Sequence, residues 1–220
     1  MGAAFFFDLD GTIIDSKPGI LSSLRHAMRA LDRPLAEDAD LDWCIGPPMR
    51  DNLRALMPGA SPAELQAALD LYRGHYSPTG LYECSPYPGM AEALGMLAPE
   101  ARLCVVTSKV DLYAERVLSH LGLRGYFAGV YGSRMDGSLT DKGDLIRLAL
   151  EREALAPESV VMIGDREHDM RGAAKAGVRA MGALWGYGTE SELIKAGAQG
   201  IIAKTADLPF VLLGGTGAAR

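Results

Sequence analysis

Short apolar runs alternate with helical patterns along most of this chain, and that alternation most limits what it can fold into. The runs cover 3–7, 103–106, 129–131, 160–163 and 178–184, and most are rich in Val, Ile or aromatic residues. Each is too short for a helix and is bounded by turn signals, which reads as a buried strand. Between them, 110–121 and 143–153 repeat apolar residues at helical spacing, and 167–176 is Ala-rich and stops at Gly177, a C-cap signal. Such alternation predicts an α/β fold: a Rossmann-like parallel sheet flanked by helices.

One stretch breaks the rhythm. From about 16 to 85 there are helical patterns at 19–31, 49–57 and 62–76, punctuated by Pro34, Pro47-Pro48, Pro58-Gly59 and Pro62, and no convincing strand. Ser85-Pro86-Tyr87-Pro88-Gly89 reads as a linker. The expected parse is an α/β core formed by 1–15 and 86–220, with an inserted all-helical domain, 16–85, after the first strand. A chain of 220 residues buries enough surface to hold such a core without staples.

Composition narrows the function classes. The net charge is −6, with no basic block, which argues against polymeric nucleic acid as a partner. No stretch approaches 18 apolar residues, so no membrane span is expected. Cys44, Cys84 and Cys104 form no Cys-x-x-Cys pair, and an odd count suits a reducing compartment. A cytoplasmic location is the expectation. Gly2 opens a myristoylation-like pattern that Phe6 breaks, and the glycines from Gly214 to Gly217 read as a frayed end rather than a phosphate cradle. The oligomeric state is left open.

Chemistry-bearing residues gather where strands end. Asp8-Leu9-Asp10-Gly11-Thr12 follows the first run, and the two acids share a face if the strand persists. The same string also reads as an Asp-Gly hairpin turn. Asp165 follows the run 160–163, and Asp169 lies one helical turn beyond it. Thr107 and Ser108 end another strand. Ser108 with Asp111 resembles a capping box, while the same hydroxyls suit a phosphoryl oxygen. Lys142 opens a predicted helix. His168 reads as a surface residue, and Trp185 and Tyr187 as a loop packing the sheet edge.

Brought to one sheet edge, these groups suit Mg²⁺-assisted phosphoryl transfer. Carboxylates hold the metal, one acid attacks phosphorus, another moves the proton, and a cation offsets the charge.

In these strings the chain resembles a phosphatase of the haloacid dehalogenase-like superfamily, whose four motifs occur in order between Phe5 and about Leu184. The resemblance implies that Asp8 is the nucleophile and that Asp10 is the general acid/base, lending a backbone carbonyl to Mg²⁺. It implies that Thr107 binds the phosphoryl group and that Lys142 neutralises nucleophile and phosphate. Asp165 would be a direct metal ligand and Asp169 a supporting acid. The inserted helices match the family's cap. Asp10 argues against dehalogenation, and Lys17, the lone lysine of the insert, makes a Schiff-base phosphonate chemistry doubtful. Thr12 and Thr107-Ser108-Lys109 favour hydrolysis over a β-phosphoglucomutase-like reaction, which stays an alternative, as does a non-catalytic phosphate-ligand binding protein. Gly46-Pro47-Pro48-Met49-Arg50-Asp51, the strings from Gly132 to Gly137 and from Gly164 to Asp169, and Leu184-Trp185-Gly186-Tyr187-Gly188 are similar to the phosphoglycolate phosphatase-like and 5′-nucleotidase-like branch. The implied partner is a small phosphorylated metabolite, with Ser108, Lys109 and Arg50 as further substrate-binding candidates.

Overall fold

The computed structural model describes residues 3–214; the Gly2 pattern and the glycines beyond Gly214 lie outside them. In chain order the elements are β1 (Ala4–Phe7), β2 (Ile14–Asp15), α1 (Lys17–Ala30), α2 (Met49–Leu56), α3 (Pro62–Tyr76), β3 (Ser85–Pro86) and α4 (Met90–Leu97). There follow β4 (Arg102–Val110), α5 (Asp111–His120), β5 (Gly129–Ser133), α6 (Lys142–Glu153), β6 (Val160–Gly164) and α7 (Glu167–Ala176). The chain closes with β7 (Arg179–Ala183), α8 (Glu190–Lys195), β8 (Ile201–Ile202) and α9 (Leu208–Leu213).

Six strands form one sheet in the order β5-β4-β1-β6-β7-β8, and every pairing is parallel. The alternation of β1 explains why both faces are covered. Phe5 and Phe7 join one apolar cluster with α4 and α5, whereas Ala4 and Phe6 join a second with α6, α7 and α8. A strand buried on both faces reads as continuous hydrophobicity, and Ala-Phe-Phe-Phe is such a run. From β1 the strand order proceeds in opposite directions, through β4 to β5 and through β6 to β8. That reversal opens a crevice at the carboxyl ends of β1 and its neighbours.

Helices α1–α3 fall between β2 and β3. Helix α3 starts at Ser61 with a capping box closed by Glu64, which fixes its first turn after Pro58-Gly59. The stretch read as a linker begins instead as β3, which pairs antiparallel with β2 through Ile14–Pro86 and Asp15–Ser85. Both chain crossings into the helical segment are therefore tied together.

Three local expectations are corrected. The Asp-Gly turn after β1 makes no hairpin, because β1 pairs with β4 and β6. Instead the amides of Thr12, Ile13 and Ile14 all donate to the Leu9 carbonyl, and Gly11 takes φ +86°, a region glycine enters without a Cβ penalty. The strand does not persist to Asp10, so Asp8 and Asp10 reach different partners. Finally, Ser108 is not a helix cap: β4 runs on to Val110, and the Asp111 carboxylate accepts from the Leu112 amide.

Candidate active site

The residues at the strand ends converge. Asp8 leaves β1 with its amide bonded to the Ile163 carbonyl at 2.9 Å, which fixes its backbone against β6. Asp165 leaves β6, and Asp169 lies in the first turn of α7, where it accepts from the Arg166 amide at 3.1 Å. One carboxylate oxygen from each of Asp8, Asp165 and Asp169 lies within 4.8 Å of the others, and all three residues are buried.

Lys142 bridges this cluster from the start of α6. Its Nζ lies 2.9 Å from Asp8 Oδ1 and 2.8 Å from Asp169 Oδ1, and it also donates to the Val106 carbonyl at 3.1 Å. Burial alone lowers the pKa of this amine, but the Asp169 and Asp8 carboxylates more than offset that and raise it, so it stays charged. Gly172 on α7 permits the approach, since a Cβ there would lie 2.7 Å from Lys142 Cγ.

Three buried carboxylates facing one ammonium leave an excess of negative charge. Burial, then the neighbouring Asp169 and Asp8 charges, raises the Asp165 pKa well above its ordinary value. Burial likewise raises Asp169, to about 6, against the pull of Lys142. The donor set is all oxygen and the surplus suits a divalent ion, so the residues fit Mg²⁺. Glycines pack around them: a Cβ on Gly164 would lie 2.2 Å from Asp169 Cγ, and one on Gly186 2.3 Å from Asp165 Cβ. Thr12 Oγ1 and the Tyr187 amide donate to the two oxygens of Asp165 at 3.1 and 2.9 Å.

The sign of the pH effect follows. A carboxyl whose pKa is raised by folding stabilises the metal-free fold below the unfolded value and costs stability as pH rises through the folded one. Metal-free protein should thus lose stability between about pH 4 and pH 6 on account of Asp169. A divalent ion binds the ionised form, so the rise in Tm on adding Mg²⁺ should grow across the same window. Scanning calorimetry with and without Mg²⁺ at pH 4.5 and pH 7 checks this, and a Tm rise that shrinks with pH would contradict it.

Asp10 stands outside the three-acid cluster. Its Oδ2 lies 2.9 Å from Lys109 Nζ, and its buried Oδ1 has no hydrogen-bond partner among the described residues. Lys109 also donates to the Tyr76 hydroxyl of α3, so it is committed to Asp10 and to the helical segment. Thr107 is buried, and its hydroxyl accepts from the Lys109 amide at 3.2 Å. The register of β4 against β5 shifts between Thr107 and Val110, which turns Ser108 and Lys109 toward the crevice.

A cavity of about 180 Å³ opens beside Asp10, Ser108 and Lys109, and Arg50, Leu69 and Tyr72 line it from the helical segment. Arg50 thus shares the cavity with Asp10, and it donates to Gln66 at 2.7 Å. His168 is exposed. Trp185 Nε1 donates to the Thr12 carbonyl at 2.9 Å, and the Tyr187 hydroxyl to Asp15 at 2.6 Å, so this loop braces the strand-end turns. Sequence reasoning missed Tyr76 and the bracing role of Thr12. The Thr12–Asp165 bond spans 153 residues and has no local signature.

A family model described as haloacid dehalogenase-like hydrolase matches residues 5–183. A 5′-nucleotidase of Pseudomonas aeruginosa is 39% identical over 190 residues, covering 85% of each chain. The tyrosine-protein kinase PtkA of Mycobacterium tuberculosis is 40% identical over 183 residues, which are 83% of this chain and 62% of that protein's length. The crystal structure of a predicted phosphatase from Clostridium acetobutylicum superposes with a TM-score of 0.92 at 32% identity, covering 97% of this chain and 99% of that one.

Proposed function

The chain belongs to the haloacid dehalogenase-like hydrolase family, and from that premise we propose that it is an Mg²⁺-dependent phosphatase that hydrolyses a small phosphomonoester through an aspartyl-phosphate. The candidate substrates are a nucleoside 5′-monophosphate and a phosphoglycolate-like ester. The observation that carries this reading is the buried Asp8–Asp165–Asp169 cluster bridged by Lys142.

In the proposed reaction Asp8 attacks phosphorus, and the bond from phosphorus to the ester oxygen breaks. Asp10 gives its proton to the departing oxygen. Asp10 then takes a proton from water, which attacks the aspartyl-phosphate and releases inorganic phosphate and free Asp8. Asp8, Asp165, Asp169 and the Asp10 carbonyl would hold Mg²⁺, whose charge would offset that of the phosphoryl group. Lys142 orients Asp8 and faces the transferring charge, and the Thr107 hydroxyl donates to a phosphoryl oxygen. Residues 16–85 act as a cap whose closure excludes water. Its place over the site is supported by Arg166 donating to the Ile45 carbonyl at 2.8 Å and Arg73 to the Met135 carbonyl at 3.0 Å.

Phosphate release tests the reading. Purified protein is assayed with Mg²⁺ or with EDTA on nucleoside 5′-monophosphates, phosphoglycolate, hexose phosphates and an aryl phosphate. Release that requires Mg²⁺ is the expected result. Interconversion of hexose phosphates without release would establish the mutase instead. Because PtkA is a named kinase, ATP with a tyrosine peptide belongs in the panel, and peptide phosphorylation in place of release would overturn hydrolysis.

A further inference from the structure

Resting on the phosphatase reading, we propose that the cavity beside Asp10 selects a leaving group bearing a flat, uncharged ring with hydrogen-bond acceptors on its edge, the chemistry of a nucleobase. Arg50 and Arg73 read that edge.

Size comes first. The cavity holds about 180 Å³, somewhat more than the roughly 150 Å³ that admits benzene in an engineered protein core. A two-carbon acid would leave most of it filled with water. The walls come second. Tyr72 and Tyr76 stack at 5.1 Å with their planes 15° apart, and Tyr113 meets Tyr76 edge-on at 5.5 Å. All three line the cavity, together with apolar side chains such as Leu69. Such walls favour an aromatic face over a hydrated chain.

The donors come third. Arg50 bonds the Gln66 side-chain carbonyl at 2.7 Å, and Arg73 bonds the Met135 backbone carbonyl at 3.0 Å. Among the described residues neither has a carboxylate within 4.0 Å. Each guanidinium carries five N–H donors, so each keeps several for a ligand. Both already hold neutral amide-type carbonyls, the acceptor that a nucleobase presents. Of the other charged groups lining the same space, Lys109 is paired with Asp10, Arg134 with Asp111 and Asp51 with Arg54, so Arg50 and Arg73 are the donors left for a ligand.

Ribose 5-phosphate isolates the base, because it shares phosphate and sugar with a nucleotide. The experiment compares kcat/KM for uridine 5′-monophosphate, adenosine 5′-monophosphate, ribose 5-phosphate and phosphoglycolate. At least one nucleotide should exceed ribose 5-phosphate by about tenfold or more, the range of base–aromatic stacking. R50M and R73M should shrink that ratio toward one, chiefly through KM. A nucleotide ratio within twofold of one, a preference for phosphoglycolate, or an equal loss on all four substrates in both variants would overturn the proposal. Absence of turnover on every ester would count against the phosphatase reading instead. Calorimetric titration of the same protein with Mg²⁺ then decides the base, since equal Kd for nucleotide and ribose 5-phosphate would sink it.

Discussion

D8N should lose turnover by on the order of 10⁴-fold or more, with no loss of thermal stability. The two halves of that result have different causes. The carboxylate of Asp8 is the proposed nucleophile, and an amide oxygen cannot form the acyl-phosphate. Structurally the change is mild. Asp8 keeps its backbone bond to Ile163, and an Asn oxygen can still accept from Lys142 at the position now 2.9 Å away. Electrostatically it is a relief, because the Asp8 charge is among the causes that raise both Asp165 and Asp169. The metal-free variant should therefore melt no lower than wild type. Single-turnover assays and melting curves on one preparation read both quantities. A variant that turns over at near wild-type rate would remove Asp8 from the nucleophile role. A variant that is inactive and unfolded would show that the charge holds the site together.

How much of this was legible beforehand depended on reach along the chain. The strands that make the middle of the sheet announce themselves, since Ala4–Phe7 and Val160–Gly164 are buried on both faces and must be apolar throughout. Helices α3 and α7 were legible to the residue because local signals end them: Pro58-Gly59 and Pro62 mark the start of one and Gly177 closes the other. The two-residue strands β2, β3 and β8 left no pattern, since two residues carry no period. Helix α8 runs only six residues, too short for a stable periodic signal. In the site, Asp8, Asp10 and Asp165 were visible as strand-end residues and the resemblance implied Lys142 beside Asp8, but nothing local gave Lys109 as the partner of Asp10. Asp8 and Asp10 stand two apart and were expected to face alike. They pair instead with Lys142 and Lys109, because the Leu9 turn separates them. That division gives one acid a place at the metal cluster and leaves the other beside the cavity.

K142M tests the charge balance from the opposite side. The lysine stem of Lys142 is packed against Gly172, and Met keeps that volume while removing the ammonium. What remains is Asp8, Asp165 and Asp169 within 4.8 Å of one another, buried, with no cation among them. Breaking a buried ion pair by removing one partner costs about 3–5 kcal/mol. For a chain of this size that is a fall in Tm of about 6–20 °C. The deficit should grow with pH, because at low pH the acids hold protons and have little charge to leave uncompensated. Mg²⁺ should restore more Tm to the variant than it adds to wild type, since it supplies the charge that Lys142 gave. Catalysis should not recover with stability. The ion would replace neither the hydrogen bond that orients Asp8 nor the donor facing the phosphoryl group, so about 10²–10³ in kcat should stay lost. Melting curves at pH 5 and pH 8, each with and without Mg²⁺, separate the terms. Wild-type stability at pH 8 without metal would mean that the three acids are already neutralised by protons, and the case for a divalent ion drawn from their excess charge would fall with it.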